Sequence, residues 1–390
     1  MIDTEALRNN ILKLAFQGKI TEQKEKYGFA SDLLSELDSN RIELEKQKIS
    51  GKKKMWPAIE QSEKYFSIPA TWAWCRIDDV FYHNTGKALN KKYSDGEQLT
   101  YITTSNLYWD RFVLDDLKEM AFSDDEVKKC TVSRGDLLVC EGGNFGRAAI
   151  WNYDFDTRIQ NHVHRLRSYI PVETRYFYYV LYYYKHNNLI NGVGIGLQGL
   201  SSNALGKMPI PLPPLEEQKQ IVTKLDASFT ELRKVDELQQ QYANNINSLN
   251  NKILDLAVRG KLVPQNPNDE PASVLLKKIA EEKQKLIKEG KIKKQKALPA
   301  ITEDEIPFDI PESWAWVRLG ELCEVVTGRL DANAQDKNGK YPFFTCGEEV
   351  YTTKDYAFDC DAIQLGGNND AGIYKMHRFA GKFNAYQRVY

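Results

Sequence analysis

Cysteine is scarce and scattered. Cys75, Cys130, Cys140, Cys323, Cys346 and Cys360 form no CxxC pair and stand at no ligand-type spacing to a histidine, which argues against a disulfide framework or a zinc site and predicts buried thiols. Long apolar runs are missing: no stretch approaches the roughly 18 residues of a membrane helix. Met1 to Ile20 carries scattered charges where a signal peptide has an apolar core, so a soluble, cytoplasmic globular protein with no membrane partner is expected. An excess of one charge sign is also lacking. Lys and Arg total 53 against 54 Asp and Glu, a net charge of −1, so the broad basic field of many nucleic-acid binders is absent. A DNA-binding role then needs locally placed contacts and basic partner subunits.

Catalytic signatures are missing as well. Gly194-Ile-Gly196-Leu-Gln-Gly199 matches GxGxxG but precedes Ser-Ser-Asn and a proline-rich stretch, where a dinucleotide site needs a strand before it and a helix opening within it; a glycine loop able to approach DNA is the better reading. Gly142-Gly143 with Gly146 has no Walker Lys-Ser/Thr and reads as a turn. Neither an Asn-Pro-Pro-Tyr-type motif nor a nuclease carboxylate cluster appears. His162 and His164 share one face of a strand at i and i+2, but no carboxylate or cysteine at matching spacing joins them, so an ordinary polar strand face is expected and metal is not.

What is present is a core-forming composition, 42% apolar with 11% aromatic, enough for two or three domains, and a tandem repeat. Ile11-Leu-Lys-Leu-Ala-Phe-Gln-Gly-Lys-Ile20 returns 242 positions later as Ile253-Leu-Asp-Leu-Ala-Val-Arg-Gly-Lys-Leu262. The offset then holds without a gap through Pro57-Ala-Ile59 and Pro299-Ala-Ile301, Ile68-Pro69 and Ile310-Pro311, and Trp72-Ala-Trp74 with Arg76 against Trp314-Ala-Trp316 with Arg318. A period this long is a duplicated domain unit, since solenoid repeats run at about 20 to 50 residues. Beyond the Trp-Ala-Trp stretch the copies diverge, which suggests two related but distinct specificities on one frame. Residue 390 corresponds to position 148 of the first copy, so a truncated product or a fragment is expected.

Between the divergent inserts, Pro209-Ile-Pro-Leu-Pro-Pro214 can neither continue a helix nor pair as a central strand. Leu215-Glu-Glu-Gln218 then places carboxylates in a first helical turn. Apolar residues fall at Ile221, Leu225, Phe229, Leu232, Val235, Leu238, Tyr242, Ile246, Leu249, Ile253 and Leu256, ten steps over 35 residues. That spacing is a coiled-coil seam. Gly260 closes the helix, and 45 residues from Leu215 to Arg259 give roughly 65 to 70 Å, about two turns of B-DNA. A second helix from about Pro271 to Glu289, with Leu275, Leu276, Ile279 and Leu286 on one face, is expected to pair antiparallel with the first and bury both seams. The first copy holds the corresponding pieces at about Glu5 to Gln17 and Ala30 to Lys48. A helix of a dozen residues is marginal alone, so the N-terminal one is expected to pack against other helices of the chain or a partner, for which a region beyond residue 390 is a candidate. Nine lysines between Lys277 and Lys296 read as a solvated face and linker rather than a phosphate track.

From about Ile68 to Pro213, short strands at Thr100–Thr104, Asp136–Cys140, Arg147–Ile150 and His162–Leu166 and a helix at about Thr174–Lys185 predict a mixed α/β domain with a strand-rich core. Here the sequence resembles a known family. Trp72-Ala-Trp74, the tract holding Glu141-Gly-Gly-Asn-Phe-Gly-Arg147 and Gln160-Asn-His-Val-His-Arg165, and Ile210-Pro-Leu-Pro-Pro-Leu-Glu-Glu-Gln-Lys-Gln-Ile221 look like the first target-recognition domain and its exit in specificity subunits of type I restriction-modification systems. Gly339-Lys-Tyr-Pro-Phe343, Gly366-Gly-Asn-Asn369 and Gly381-Lys-Phe-Asn-Ala-Tyr-Gln-Arg388 resemble the second. The resemblance implies an α/β fold class: mixed target-recognition domains separated by long antiparallel coiled-coil-like helices, in a pseudo-two-fold tandem repeat. The implied parts are an N-terminal helical segment at 1–66, a first recognition domain at 67–213, central helices at 214–298 and an incomplete second recognition domain at 299–390.

It also implies a non-catalytic protein that reads a bipartite target in double-stranded DNA and docks methyltransferase subunits, with motor-nuclease subunits completing the enzyme. The chain itself would hold no cofactor; S-adenosylmethionine, ATP and Mg belong to the partners. Self-association would restore symmetry to a naturally truncated member. Arg reads guanine and Asn or Gln reads adenine by paired hydrogen bonds, so the DNA-contact candidates are Lys87, Asn90, Lys91, Lys92, Ser105, Asn106, Asn144, Arg147, Gln198, Ser201, Ser202 and Asn203 in the first domain. Arg329, Asn333, Asn368, Asn369, Tyr374 and Lys375 are those of the second. The alternatives are a stand-alone nuclease or methyltransferase, which would act on DNA unaided, and a coiled-coil scaffold indifferent to DNA sequence.

Overall fold

Leu137-Leu-Val-Cys140 is apolar at every position, and the computed structural model shows why: the strand is covered on both faces. It stands in a four-stranded antiparallel sheet of order Phe81–Thr85, Val163–Ser168, Leu137–Cys140, Ala148–Ile150. Side chains alternate between faces along a strand. Leu137, Val139, Ala148 and Leu166 enter a core shared with helices, while Leu138, Cys140, Ala149 and Val163 enter a second core around the fully buried Trp151. A second sheet contributes to that core. Its order is Lys118–Phe122, Glu97–Ile102, Thr157–Ile159, Thr131–Val132, with Thr157–Ile159 parallel to Glu97–Ile102. The structure describes residues 1–52, 54–89, 96–190, 199–294, 296–367 and 374–390.

The chain divides into two units, Met1–Ala243 and Asn244–Tyr390. The first holds helices α1 (Thr4–Phe16), α2 (Ala30–Lys46), α3 (Ile77–Val80), α4 (Asp124–Cys130), α5 (Thr174–His186), α6 (Ser202–Lys207) and most of α7 (Leu215–Val258). The bounds of α1, α2, α5 and α7 match the sequence pattern to within a few residues, whereas the short α3, α4 and α6 have no periodic signal in the sequence. The proline-rich tract forms a strand, Pro209–Leu212, that pairs antiparallel with Ala73–Arg76 in a two-stranded sheet, a place where missing N–H donors are tolerated. Its buried carbonyls are satisfied by side chains: Tyr184 Oη donates to Pro209 O and Tyr176 Oη to Pro211 O, both at 2.9 Å.

The partner of α1 lies within the chain, as expected of a helix this short, and is not a region beyond residue 390. Phe16 packs edge-on against Tyr176 and Tyr183 of α5, with centroids 5.8 and 5.4 Å apart. Arg8 pairs with Asp236 at 2.6 Å, the Ile2 N–H donates to Gln239 Oε1 at 2.5 Å, and Lys224 Nζ donates to Ile20 O at 2.6 Å. Residue 20 therefore meets 224 while residue 2 meets 239, an antiparallel course along the first half of α7. Ile221, Leu225 and Phe229 of the α7 seam are buried in the core that also takes Leu12, Ala15 and Phe16.

The second unit holds the end of α7, α8 (Ala272–Lys288), α9 (Leu319–Leu322) and a four-stranded sheet of order Tyr351–Thr353, Tyr341–Phe344, Met376–Ala385, Phe358–Leu365. Within this unit the expected mutual burial of α7 and α8 is not made: Ile246, Leu249 and Ile253 are exposed, and α8 has no fully buried residue. In the first repeat, by contrast, α1 is covered by α5 and the first half of α7. The thiols divide in the same way. Cys75, Cys130 and Cys140 are buried, whereas Cys323 and Cys360 are exposed and Cys346 is half-buried, against the expectation of six buried thiols, because the second unit's core is small. No helix among the described residues is long and apolar enough to cross a membrane.

The sequence repeat is reproduced in hydrogen bonds. Gln23 Nε2 donates to Gly18 O at 3.1 Å and Gln265 Nε2 to Gly260 O at 2.7 Å. The Ala30 N–H donates to Thr71 O at 2.9 Å, and the Ala272 N–H to Ser313 O at 2.8 Å. Arg76 grips Glu63 through both terminal nitrogens at 2.7 and 3.0 Å; Arg318 Nη2 reaches Glu305 at 2.8 Å. Each pair is related by the same 242-residue offset.

Candidate nucleic-acid interface

Four loop segments of the first unit meet at one end of its central sheet. The Lys87 N–H donates to Ile159 O and the Asn161 N–H to Lys87 O, both at 3.0 Å. The Glu141 N–H donates to His162 O at 2.8 Å, and the Leu200 N–H to Glu141 O at 2.7 Å. Gly86 has to lack a side chain, because a Cβ there would overlap the Ile159 carbonyl. His164 Nε2 donates to Leu200 O at 2.7 Å. Burial pushes its pKa down to about 4, so it is neutral and fastens the loop after residue 199 to the sheet. His162 stays at the surface, 3.6 Å from Glu141.

The turn from Glu141 to Arg147 projects from this end. Gly143 and Gly146 adopt φ of +65° and +81°, and the Gly146 N–H returns to Cys140 O at 2.9 Å. Phe145 lies under Lys185, whose Nζ is 3.5 Å from the ring centroid and whose pKa is lowered by burial. Asn144 is exposed at the tip. Arg147 turns towards the neighbouring hairpin: Nη2 donates to Thr104 O at 2.6 Å, and the guanidinium lies 4.7 Å from the Tyr108 ring. Arg111 lies 5.0 Å from the same ring. Two guanidinium groups on one partly exposed tyrosine make a basic aromatic patch suited to phosphate and base faces.

The candidates separate accordingly. Arg147 is in this patch, Ser105 and Asn106 follow the Thr104 to which it donates, and Asn144 stands in the same turn as Arg147. Asn106 is used internally, with Oδ1 accepting from the Thr103 N–H at 3.0 Å and Nδ2 donating to Val113 O at 3.1 Å, and Ser105 Oγ is 2.7 Å from Thr103 Oγ1. Lys87 is turned away: its Nζ donates to Glu126 Oε2 at 2.6 Å and Ala121 O at 2.8 Å, and the Glu126 carboxyl is held below its usual range by that bond. Ser201 caps α6, Ser202 begins it, and Asn203 accepts from Lys54. In the second unit Arg329, Asn333 and Tyr374 are exposed, and Lys375 pairs with Glu348 at 2.8 Å. Asn90, Lys91, Lys92, Gln198, Asn368 and Asn369 lie outside the described residues, as does the glycine motif up to Gly199. Tyr108 and Arg111 were not singled out from the sequence, although aromatics interleaved with arginine in Leu107-Tyr-Trp-Asp-Arg-Phe112 carry that signal.

Comparisons of the sequence with known proteins agree on one family. The type I restriction modification DNA specificity domain matches residues 69–241 and 311–390. The specificity subunit of type I restriction enzyme EcoAI from Escherichia coli is 32% identical, over 83% of this chain and 63% of its own length. That of EcoEI, also from Escherichia coli, is 30% identical over 81% of this chain and 61% of its own. Among solved structures, the HsdS subunit from Thermoanaerobacter tengcongensis aligns with 66% of this chain and 57% of its own, at 20% identity and a TM-score of 0.38. The chain thus spans a little over 60% of the length of the two Escherichia coli relatives.

Proposed function

The chain belongs to the type I restriction-modification DNA specificity family, and from that premise we propose that it is a sequence-recognition subunit reading a bipartite target in double-stranded DNA. One observation carries this reading: the family's specificity domain occurs twice, at 69–241 and 311–390, on a frame whose local geometry repeats at a single offset while the inserts differ. Two different readers on one frame suit a target with two different halves. The patch of Tyr108, Arg111, Asn144 and Arg147 supplies the chemistry for the first half: guanidinium groups for phosphate or guanine and an exposed amide for adenine. Arg329, Asn333 and Tyr374 are the exposed counterparts for the second. The chain has no catalysis of its own in this reading. Methyltransferase subunits dock on its helices and, with motor-nuclease subunits, hold S-adenosylmethionine, ATP and Mg, in the cytoplasm.

The test is methylation mapping across genomic DNA after co-expression of this chain with its methyltransferase subunit. A split motif that appears only with the chain present supports the proposal. A stable complex with no new methylation refutes it, and methyl transfer or cleavage by the purified chain alone establishes the enzymatic alternative.

A further inference from the structure

The hairpin that carries Tyr108 and Arg111 is too short to hold itself in place. Its strands are Leu107–Tyr108 and Arg111–Phe112, joined by the two-residue turn Trp109-Asp110, and an isolated hairpin is marginal in water. Leu107 and Phe112 fix one face in the core around Trp151. Tyr108 and Arg111, paired directly across the strands, share the other face. The aim of that face depends on what grips the turn, and α5 grips both of its residues. Trp109 packs against Tyr178, Tyr182 and His186, with ring centroids 6.0, 5.0 and 5.5 Å away, three residues that a spacing of four places on one face of the helix. Asp110 adopts φ +56°, a left-handed conformation that aspartate tolerates. Its carboxylate accepts from both terminal nitrogens of Arg175, at 2.9 and 3.0 Å.

The same guanidinium turns its third nitrogen to α7. Arg175 Nε lies 2.8 and 3.1 Å from the two carboxylate oxygens of Asp226, which also accepts from Tyr179 Oη. The rings of Tyr179 and Phe229 meet edge-on beside this contact, 5.5 Å apart. One planar cation therefore spans from the turn of the hairpin to the long helix, which a guanidinium can do because it carries donors on two edges and an ammonium cannot. The side chains of Arg175, Asp110 and Asp226 are 27%, 40% and 41% exposed, and ion pairs this open to water contribute little stability. What the bridge supplies is orientation.

We propose that Arg175 is a positioning residue for sequence recognition: through Asp110 it aims Tyr108 and Arg111, and through Asp226 it ties that aim to α7. The inference rests on the DNA-recognition reading of the Tyr108 patch. It adds to that reading a determinant of discrimination that touches neither base nor phosphate, one end of which, Asp226, lies on the long helix outside the recognition insert.

Competition binding by the complex with its methyltransferase subunit, on duplexes in which each base pair of the mapped target is changed in turn, tests the bridge. Asp110→Asn keeps a residue suited to the left-handed turn, Asp226→Asn alters α7 alone, and circular dichroism checks that each variant folds. These two and Arg175→Gln should each lower discrimination at the first half-site about fivefold, with the second half-site and the salt slope unchanged. Arg175→Lys restores the charge but not the span, so it should fail to rescue. Because the substitutions cut one chain, Arg175→Gln combined with Asp226→Asn should lose no more than either alone. Discrimination within about twofold of native in all single variants overturns the proposal, as do independent, multiplying losses in the double variant. Equal loss at both half-sites marks general loosening, and a salt slope lowered by Arg175→Gln marks a phosphate contact; either also overturns it. A native complex that prefers no split motif refutes the recognition reading itself, whereas a native preference indifferent to these substitutions refutes the bridge alone.

Discussion

Arg76 closes on Glu63 through both ends of its guanidinium, at 2.7 and 3.0 Å, and also donates to Lys207 O at 2.6 Å and Pro57 O at 3.0 Å. One side chain thus joins the segment before the first recognition domain to the end of α6, just ahead of the strand by which the chain leaves that domain. The Arg76 hydrogen bonds, then the Glu60 backbone N–H, hold the Glu63 pKa at about 2, below its ordinary 4.5. A carboxyl with a depressed folded pKa contributes stability above its unfolded pKa and loses it as pH falls through the folded one. The advantage of the native chain over Glu63→Gln in urea unfolding should therefore be full above about pH 4.5 and vanish towards pH 2. A difference that does not change with pH would remove Glu63 as the titrating group. Glu305, held low by Arg318 in the second repeat, should behave in the same direction.

Gly18 ends α1 at φ +66°, and a Cβ there would overlap the Pro69 ring; Gly260 is in the same position at φ +64° against Pro311. Strain in the left-handed region and steric overlap act together, so Gly18→Ala should cost more than about 1 kcal/mol in urea unfolding. Gly260→Ala should disturb the second repeat likewise. Neutral behaviour of both would show that these turns relax freely.

Tyr176 Oη donates to Pro211 O inside the core, both groups being buried. Tyr176→Phe leaves that carbonyl without its partner at little change in volume, so a loss of about 1 to 3 kcal/mol is expected, with the same overall circular dichroism. An unchanged unfolding midpoint would mean that the carbonyl finds another donor.

Local pattern made the frame legible. The 3.5-residue seam and Gly260 defined α7, and the constant offset placed α2 and α8 in equivalent settings, while α3 and α9, just past the shared stretch, were not expected. What covers each face was not legible, because burial depends on non-local partners. Phe16 and Val258 stand at equivalent positions with similar neighbours in sequence, yet only Phe16 meets Tyr176 and Tyr183. The site was legible in part for the same reason. Residue type marked Asn144, Arg147 and Lys87 among the twelve first-domain candidates, but Lys87 folds onto Glu126, a partner 39 positions away that no local motif announces.

The patch around Tyr108 divides its residues by role. Asn144 is exposed at a turn tip with its amide available, so Asn144→Ala should relax preference at one base position of the first half-site by about 1 to 3 kcal/mol while leaving other sequences bound as before. Arg111 rests on the face of Tyr108, where a guanidinium follows phosphate; Arg111→Ala should weaken all sequences alike and reduce the salt slope by about 1. Arg147 already spends Nη2 on Thr104 O, so Arg147→Ala should combine loss of contact with loosening of the adjoining loop, lowering both affinity and discrimination. Competition binding of the assembled complex on duplexes carrying the mapped target, repeated at several salt concentrations, separates the three. Site preference unchanged by Asn144→Ala and a salt slope unchanged by Arg111→Ala would together move the reading surface away from Tyr108.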